Sequence, residues 1–227
     1  MVPQDHPHRL LVEGKDDLHS VIHLTERHGI DWDKPHDRTP YIHDSGGFDP
    51  LLDALSLDLK LGKRKRIGIV VDADIEPTDR WASIKTALGK VGIKLPKRPD
   101  ADGTIVPGPG PCRRLGVWLM PDNSNPGMLE DFLGALVPQK DPCWDYAKEA
   151  ARGAAKRGAP FPGRDFEKAR IHTWLAWREE PGQPFGTALT ANCFDTNQEI
   201  SNRFVAWFER LFLSEDPSAE ESQSPSP

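Results

Sequence analysis

Apolar positions along the chain follow two patterns: short runs that end in charge, and longer stretches with helical spacing. Arg9-Leu10-Leu11-Val12 ends in Glu13-Gly14-Lys15-Asp16-Asp17, and Ile67-Gly68-Ile69-Val70-Val71 ends in Asp72-Ala73-Asp74. Runs this short and apolar predict strands buried on both faces, as at the centre of a parallel sheet. Two further strands are predicted over 40–43 and 115–120. Between them, helical spacing covers 16–28 (Leu18, Val21, Ile22 and Thr25 inward), 49–61 (Leu51, Leu52, Leu55 and Leu59) and 79–88, the last capped by Thr78 or Asp79. A Pro/Gly-rich connection fills 96–111. The alternation predicts an α/β fold with a parallel sheet and right-handed crossovers. Beyond residue 126 only helices are predicted, at 127–136, 144–157, 166–177 and 197–212. The expected organisation is an α/β domain over 8–138, a helical C-terminal elaboration over 139–213 and an acidic, Ser/Pro-rich disordered tail over 214–227.

With 227 residues, 37% of them apolar and 28% charged, the chain can bury a core while staying polar. A formal net charge of −6 argues against coating nucleic acid by bulk charge, yet leaves room for an enzyme whose acids bind a divalent ion. Cys112, Cys143 and Cys193 lack zinc-site spacing and are odd in number, so reduced thiols are expected. No apolar run reaches the length of a membrane span and no signal-peptide core stands at the N-terminus, so a cytoplasmic protein is expected.

The acids that close the two strands carry the candidate chemistry. In open α/β sheets, ligands bind outside the carboxyl ends of the strands. Asp72 and Asp74, spaced i, i+2, are expected on one side where their strand unwinds, with Glu13 facing them from the neighbouring strand. Asp17, four residues after Glu13, opens the following helix. Two to four carboxylates are the usual protein share of a magnesium site. Each acid also has a structural reading: Asp16, Asp17 and Glu130 as first-turn helix acids, and Asp-x-Asp as cap and turn.

Together, Leu11-Val12-Glu13-Gly14-Lys15-Asp16-Asp17 and Val70-Val71-Asp72-Ala73-Asp74 resemble the two signatures of Toprim domains, a fold shared by topoisomerases, bacterial primases, recombination mediators and the overcoming-lysogenization-defect nucleases. The resemblance covers about residues 8–135. It implies that Glu13 serves as general acid/base or metal ligand and that Asp72 and Asp74 bind Mg²⁺ or Mn²⁺. Asp17 matches an acid added in the nuclease branch, and Glu130 is a candidate for a second ion. Leu119-Met120-Pro121-Asp122-Asn123-Ser124-Asn125-Pro126-Gly127-Met128-Leu129-Glu130-Asp131 is similar to a stretch in a bacterial group of stand-alone Toprim-like proteins. Only Tyr41 and Tyr146 are present and no separate domain could carry a topoisomerase nucleophile. The zinc-binding cysteines of the primases and recombination mediators are absent.

The basic residues divide. Lys60, Lys63, Arg64, Lys65 and Arg66 precede the third strand and read as a solubilising edge rather than a phosphate track. Lys15, beside Glu13, is a candidate to touch a substrate phosphate or to neutralise its neighbours. Lys168 and Arg178 are the two candidates for the late basic residue that the nuclease resemblance implies. His19 and His23 have metal-pair spacing on a helix but are expected to face solvent. Trp144, Trp174, Trp177 and Trp207 are expected in the core. The reading that results is an Mg²⁺-dependent nuclease acting on nucleic acid. Its alternatives are a non-enzymatic Toprim scaffold, or a phosphatase or phosphotransferase on a small phosphate ester. A haloacid-dehalogenase phosphatase fits less well, since it expects Asp-x-Asp near the N-terminus followed by Thr or Val where Ile75-Glu76 follows here, and a nucleotide-sugar transferase would leave Glu13-Gly14 unexplained.

Overall fold

The computed structural model describes residues 2–215; residues 216–227 of the expected disordered tail lie outside the described residues. Five strands form one sheet: β1 (His8–Val12), β2 (Tyr41–Asp44), β3 (Arg66–Asp72), β4 (Thr104–Val106) and β5 (Arg114–Met120), in the order β2-β1-β3-β5-β4. All neighbours pair in parallel except β4 with β5, so the fold is α/β with one antiparallel edge. The three residues of β4 lie within the connection expected to be irregular.

Two apolar layers sandwich the sheet. On one face Leu11, Ile67, Ile69, Val71, Leu115, Val117 and Leu119 pack against α2 (Phe48–Leu61) and α3 (Pro77–Gly89). On the other, Leu10, Val12, Val70, Trp118 and Met120 meet α1 (Lys15–Arg27), α4 (Leu129–Ala135), α6 (Phe166–Leu175), α7 (Phe185–Thr190), α8 (Glu199–Phe208) and a π-helical turn, Glu209–Leu213. A further helix, α5 (Pro142–Lys156), packs on α6. The C-terminal helices therefore share one sheet face with α1 and α4. Helices α1 and α3, which follow the adjacent strands β1 and β3, lie on opposite faces. That makes the gap between those two strand ends the topological switch point, where open α/β sheets bind ligands.

Several expectations are corrected. Helix α3 begins two residues early with Glu76 as its N-cap and Pro77 in its first turn, a position that suits proline's fixed φ. Helix α7 has no counterpart among the predicted helices. It packs on α1 so closely that Gly186 faces the His23 ring, where an added Cβ would lie 2.5 Å from Cδ2. His23 is consequently half-buried, bonded to Glu26 at 2.8 Å and Thr190 at 3.1 Å, while His19 stays exposed. The basic run is not a uniformly solvated edge. Arg66 is buried and donates to the Phe212 carbonyl, and Arg64 bonds Asp58 and the His6 carbonyl; Lys60, Lys63 and Lys65 do not share that burial. Among the tryptophans Trp174 and Trp207 are buried and Trp144 is half-buried, whereas Trp177 is exposed and stacks on Tyr146. No helix among the described residues is long and apolar enough to cross a membrane.

Candidate active site

Glu13 leaves β1 as that strand ends, and its Oε1 accepts the Asp72 backbone N–H at 2.9 Å, tying the ends of β1 and β3 together. Asp72 in turn accepts the Leu129 backbone N–H at 3.0 Å. Leu129 opens α4, so the carboxylate of Asp72 sits against that helix's unsatisfied amides. Asp17, in the first turn of α1, accepts the Gly14 N–H at 3.0 Å and is buried. Glu130, in the first turn of α4, is buried too and meets Lys168 Nζ at 3.1 Å. Two strand ends and two helix starts thus bring Glu13, Asp17, Asp72 and Glu130 together.

Their electrostatics follow from crowding. Burial raises the Asp72 carboxyl well above the usual aspartate range, and the charges of Asp17, Glu13 and Glu130 raise it further, against the Leu129 N–H that lowers it. Burial, then Glu13 and Glu130, push Asp17 up to about 7, opposed by the Gly14 N–H. Glu13 is raised by burial and by Asp49, while the Asp72 N–H and Arg80 act to lower it. Burial lowers Lys168, but the Glu130 charge and hydrogen bond outweigh it and hold the amine protonated above its ordinary value.

A pH dependence follows with a definite sign. A folded-state carboxyl raised above its unfolded value binds more protons folded than unfolded, so its contribution to stability falls as pH rises from about 4 through about 7. Asp17→Asn keeps an oxygen for the Gly14 N–H and removes the charge. In metal-free buffer its stability gain over wild type is expected to grow from near zero at about pH 4 to on the order of 4 kcal/mol at about pH 8. Denaturant unfolding at both pH values measures it; a gain independent of pH would contradict this account.

The other candidates are placed as follows. Asp74 is not among the charges that shift Glu13, Asp17 or Asp72. Its backbone turns into the left-handed region (φ 55°), its N–H and C=O both bond Gly127, and its half-exposed carboxylate is paired with Arg80. Where the sequence pattern expects Asp74 to share a point with Asp72, the turn and the Arg80 pair direct its carboxylate to that guanidinium. Gly127 has φ 140° and abuts Asp131, where an added Cβ would lie 2.8 Å from Cγ, so the loop carrying Leu129 to Asp72 requires glycine there. Lys15 is exposed and forms no ion pair among the described residues. Of the two late basic candidates, Lys168 touches Glu130, whereas Arg178 bonds Asp141 at 3.1 Å and lies over Trp174, away from the acids.

Beside the cluster opens a cleft of about 690 Å³ lined by Phe48, Asp74, Arg80, Met128, Asp131 and Arg164, among others. Ala73 and Asp74 in its wall directly follow Asp72, and Met128 precedes the Leu129 amide that binds Asp72. Arg80 is not among the candidates that the sequence singles out. One signal for it exists: a cation in the first turn of a helix opposes the macrodipole, so its presence in α3 implies a specific partner. The donor set of the cluster is all oxygen, as a hard divalent cation requires. Among the described residues, however, no three histidine, cysteine, aspartate or glutamate side chains are closed on a point tightly enough to hold an ion as they stand. Instead, Glu13, Asp17 and Asp72 each direct an oxygen to a main-chain amide.

A family model described as "Protein of unknown function (DUF3226)" matches residues 7–213. Comparison with curated proteins and with solved structures gives no match.

Proposed function

The chain belongs to the DUF3226 family, and we propose that this member is a metal-dependent phosphodiesterase acting on nucleic acid through a Toprim-type sheet edge. The observation that carries the reading is the gathering of Glu13, Asp17, Asp72 and Glu130 at the switch point between β1 and β3, partly buried and mutually repulsive. Burying several carboxylates together is costly unless a cation offsets them. Lys168 supplies one positive charge at Glu130 and Arg80 acts on Glu13. The remaining acids exceed these cations.

Asp72 and Asp17 would hold a first Mg²⁺ or Mn²⁺, with Glu130 beside them and Glu13 left as the base. The ion would supply charge neutralisation at the phosphate and a lowered pKa for bound water. The chain's own groups do the rest. The Leu129 N–H fixes the Asp72 carboxylate, and the Asp72 N–H fixes Glu13. Glu13, with its proton affinity raised by burial, is suited to take a proton from an attacking water. Lys168 holds Glu130 in place and keeps a positive charge at the edge of the acids. The partner on this reading is nucleic acid and the setting the cytoplasm.

Incubation with single- and double-stranded DNA and RNA, with Mg²⁺ or Mn²⁺, tests it. Cleavage of at least one polymer is expected, abolished by EDTA and lost in Glu13→Gln. No cleavage of any polymer with either ion, or cleavage unchanged in Glu13→Gln, overturns the proposal. One observation favours a second reading: Glu13, Asp17 and Asp72 each accept a main-chain N–H, as acids of a non-enzymatic scaffold would. Ion-dependent stabilisation without turnover would select that reading; multiple turnover eliminates it.

A further inference from the structure

We propose that Arg80 is the phosphate anchor of this site, held in reserve by Asp74 and released to a substrate phosphate in the cleft; the inference rests on the nucleic-acid reading above. The guanidinium of Arg80 lies 3.8 Å from the centroid of the Phe48 ring, set on an aromatic face, and its side chain is 13% exposed. Among the described residues, only Nη2 of its three nitrogens has an acceptor, the Asp74 carboxylate. Nε and Nη1 retain N–H donors in the wall of the 690 Å³ cleft. A planar fork with spare donors, fixed by stacking, suits two-point recognition of a phosphate.

Its location fits the task. Arg80 lines the same cleft as Ala73, the residue after Asp72, and its charge reaches Glu13, so an anion held by it lies within electrostatic reach of the acid cluster. The cleft otherwise repels anions, since among the described residues Asp74, Glu76, Asp79, Asp131 and Glu167 line it against Arg80 and Arg164. Arg164 is 70% exposed and has Asp165 at 3.6 Å, so Arg80 is the fixed positive point inside. Its present partner is exchangeable: the Asp74 carboxylate is 52% exposed, so it can turn to water when an anion takes its place. A phosphate entering the cleft can therefore take the place of Asp74 while the Phe48 ring keeps the guanidinium in position.

Fluorescence anisotropy with a fluorescein-labelled single-stranded DNA of about 12 nucleotides, in EDTA and low salt, isolates binding from hydrolysis. Arg80→Ala is expected to weaken binding about tenfold and to reduce the slope of log affinity against log salt by about 0.7, the share of one phosphate contact on a single strand. Arg80→Lys is expected to fall between, keeping the charge without the fork. Asp74→Asn frees Arg80 and is expected to tighten binding about threefold, and Arg80→Ala in that background to abolish the gain. The Asp74 variant keeps the test decisive if Arg80→Ala does not fold. Equal or tighter binding by Arg80→Ala, no gain in Asp74→Asn, or no binding by wild type overturns the proposal. Arg80-dependent binding without cleavage of any polymer removes the hydrolytic reading and leaves the anchor. Cleavage with unchanged KM in Arg80→Ala removes the anchor and leaves the hydrolytic reading.

Discussion

Replacing Asp72 by asparagine is expected to cut ion-dependent hydrolysis by roughly 100- to 1,000-fold while making the metal-free protein more heat-stable. The two effects have one cause. Asp72 sits at the most crowded point of the cluster, raised by burial and by the charges of Asp17, Glu13 and Glu130. An asparagine oxygen still accepts the Leu129 N–H that Asp72 binds at 3.0 Å, so the start of α4 keeps its cap. What disappears is one of the clustered negative charges. Relief of like-charge repulsion at an effective dielectric near 20 amounts to about 1–2 kcal/mol, which for a chain of this size raises Tm by about 2–8 °C. The same charge is one that a divalent ion would need. Loss of several kcal/mol of transition-state stabilisation gives the expected fall in kcat, since each 1.36 kcal/mol is about tenfold. Thermal unfolding in EDTA and initial rates in Mn²⁺ measure the two arms. A variant that is less stable and hydrolyses at the wild-type rate would mean that Asp72 serves only as a helix cap. Asp72→Ala is the control that loses both cap and charge, and it should forfeit about 1 kcal/mol of the gain.

What was legible in the sequence was the part written in local pattern. The bounds of β3 follow from its apolar run, and the order of strands and helices through β3 follows from alternating periods. The carboxyl edge of β1 and β3 could be located because burying acids at the end of an apolar strand is costly unless a ligand or an ion meets them there. Features set by distant partners were not legible. Strand β4 is three residues long and exists because β5 offers it an antiparallel edge, with Thr104 opposite Val117. Helix α7 is too short for periodicity, and its place depends on Gly186 meeting His23. The direction of the Asp74 carboxylate depends on Arg80, on the helix that follows, and on Gly127, which comes from beyond β5. Arg66 reads as one of a run of surface cations until the Phe212 carbonyl is brought to it from the C-terminal turn.

That C-terminal turn depends on two glycines that the apolar pattern of the strands conceals. Gly68 of β3 and Gly116 of β5 are cross-strand neighbours, and glycine inside a strand marks close approach of another element. A Cβ at Gly116 would lie 2.4 Å from Leu211 Cδ2 and 3.1 Å from Trp207 Cζ2; one at Gly68 would lie 2.8 Å from both Leu10 and Leu211. The glycine pair therefore forms the flat strip on which Leu211, Phe212 and Trp207 seat the last helical layer against the sheet. Gly116→Ala is expected to cost about 2 kcal/mol through overpacking, and Leu211→Ala, which empties a fully buried site, about 3 kcal/mol. Combined, they relieve one another, because the alanine methyl at 116 enters space that the missing leucine leaves. The double variant should be more stable than the sum of the singles implies by about 1–2 kcal/mol. Gly89→Ala, whose added methyl meets nothing within 4 Å at the end of α3, provides the contrast and should be neutral or slightly stabilising. Urea unfolding of these variants gives the coupling directly. Strict additivity of Gly116→Ala and Leu211→Ala would show that the strip does not seat the C-terminal layer, and that this layer is held by its helix–helix contacts alone.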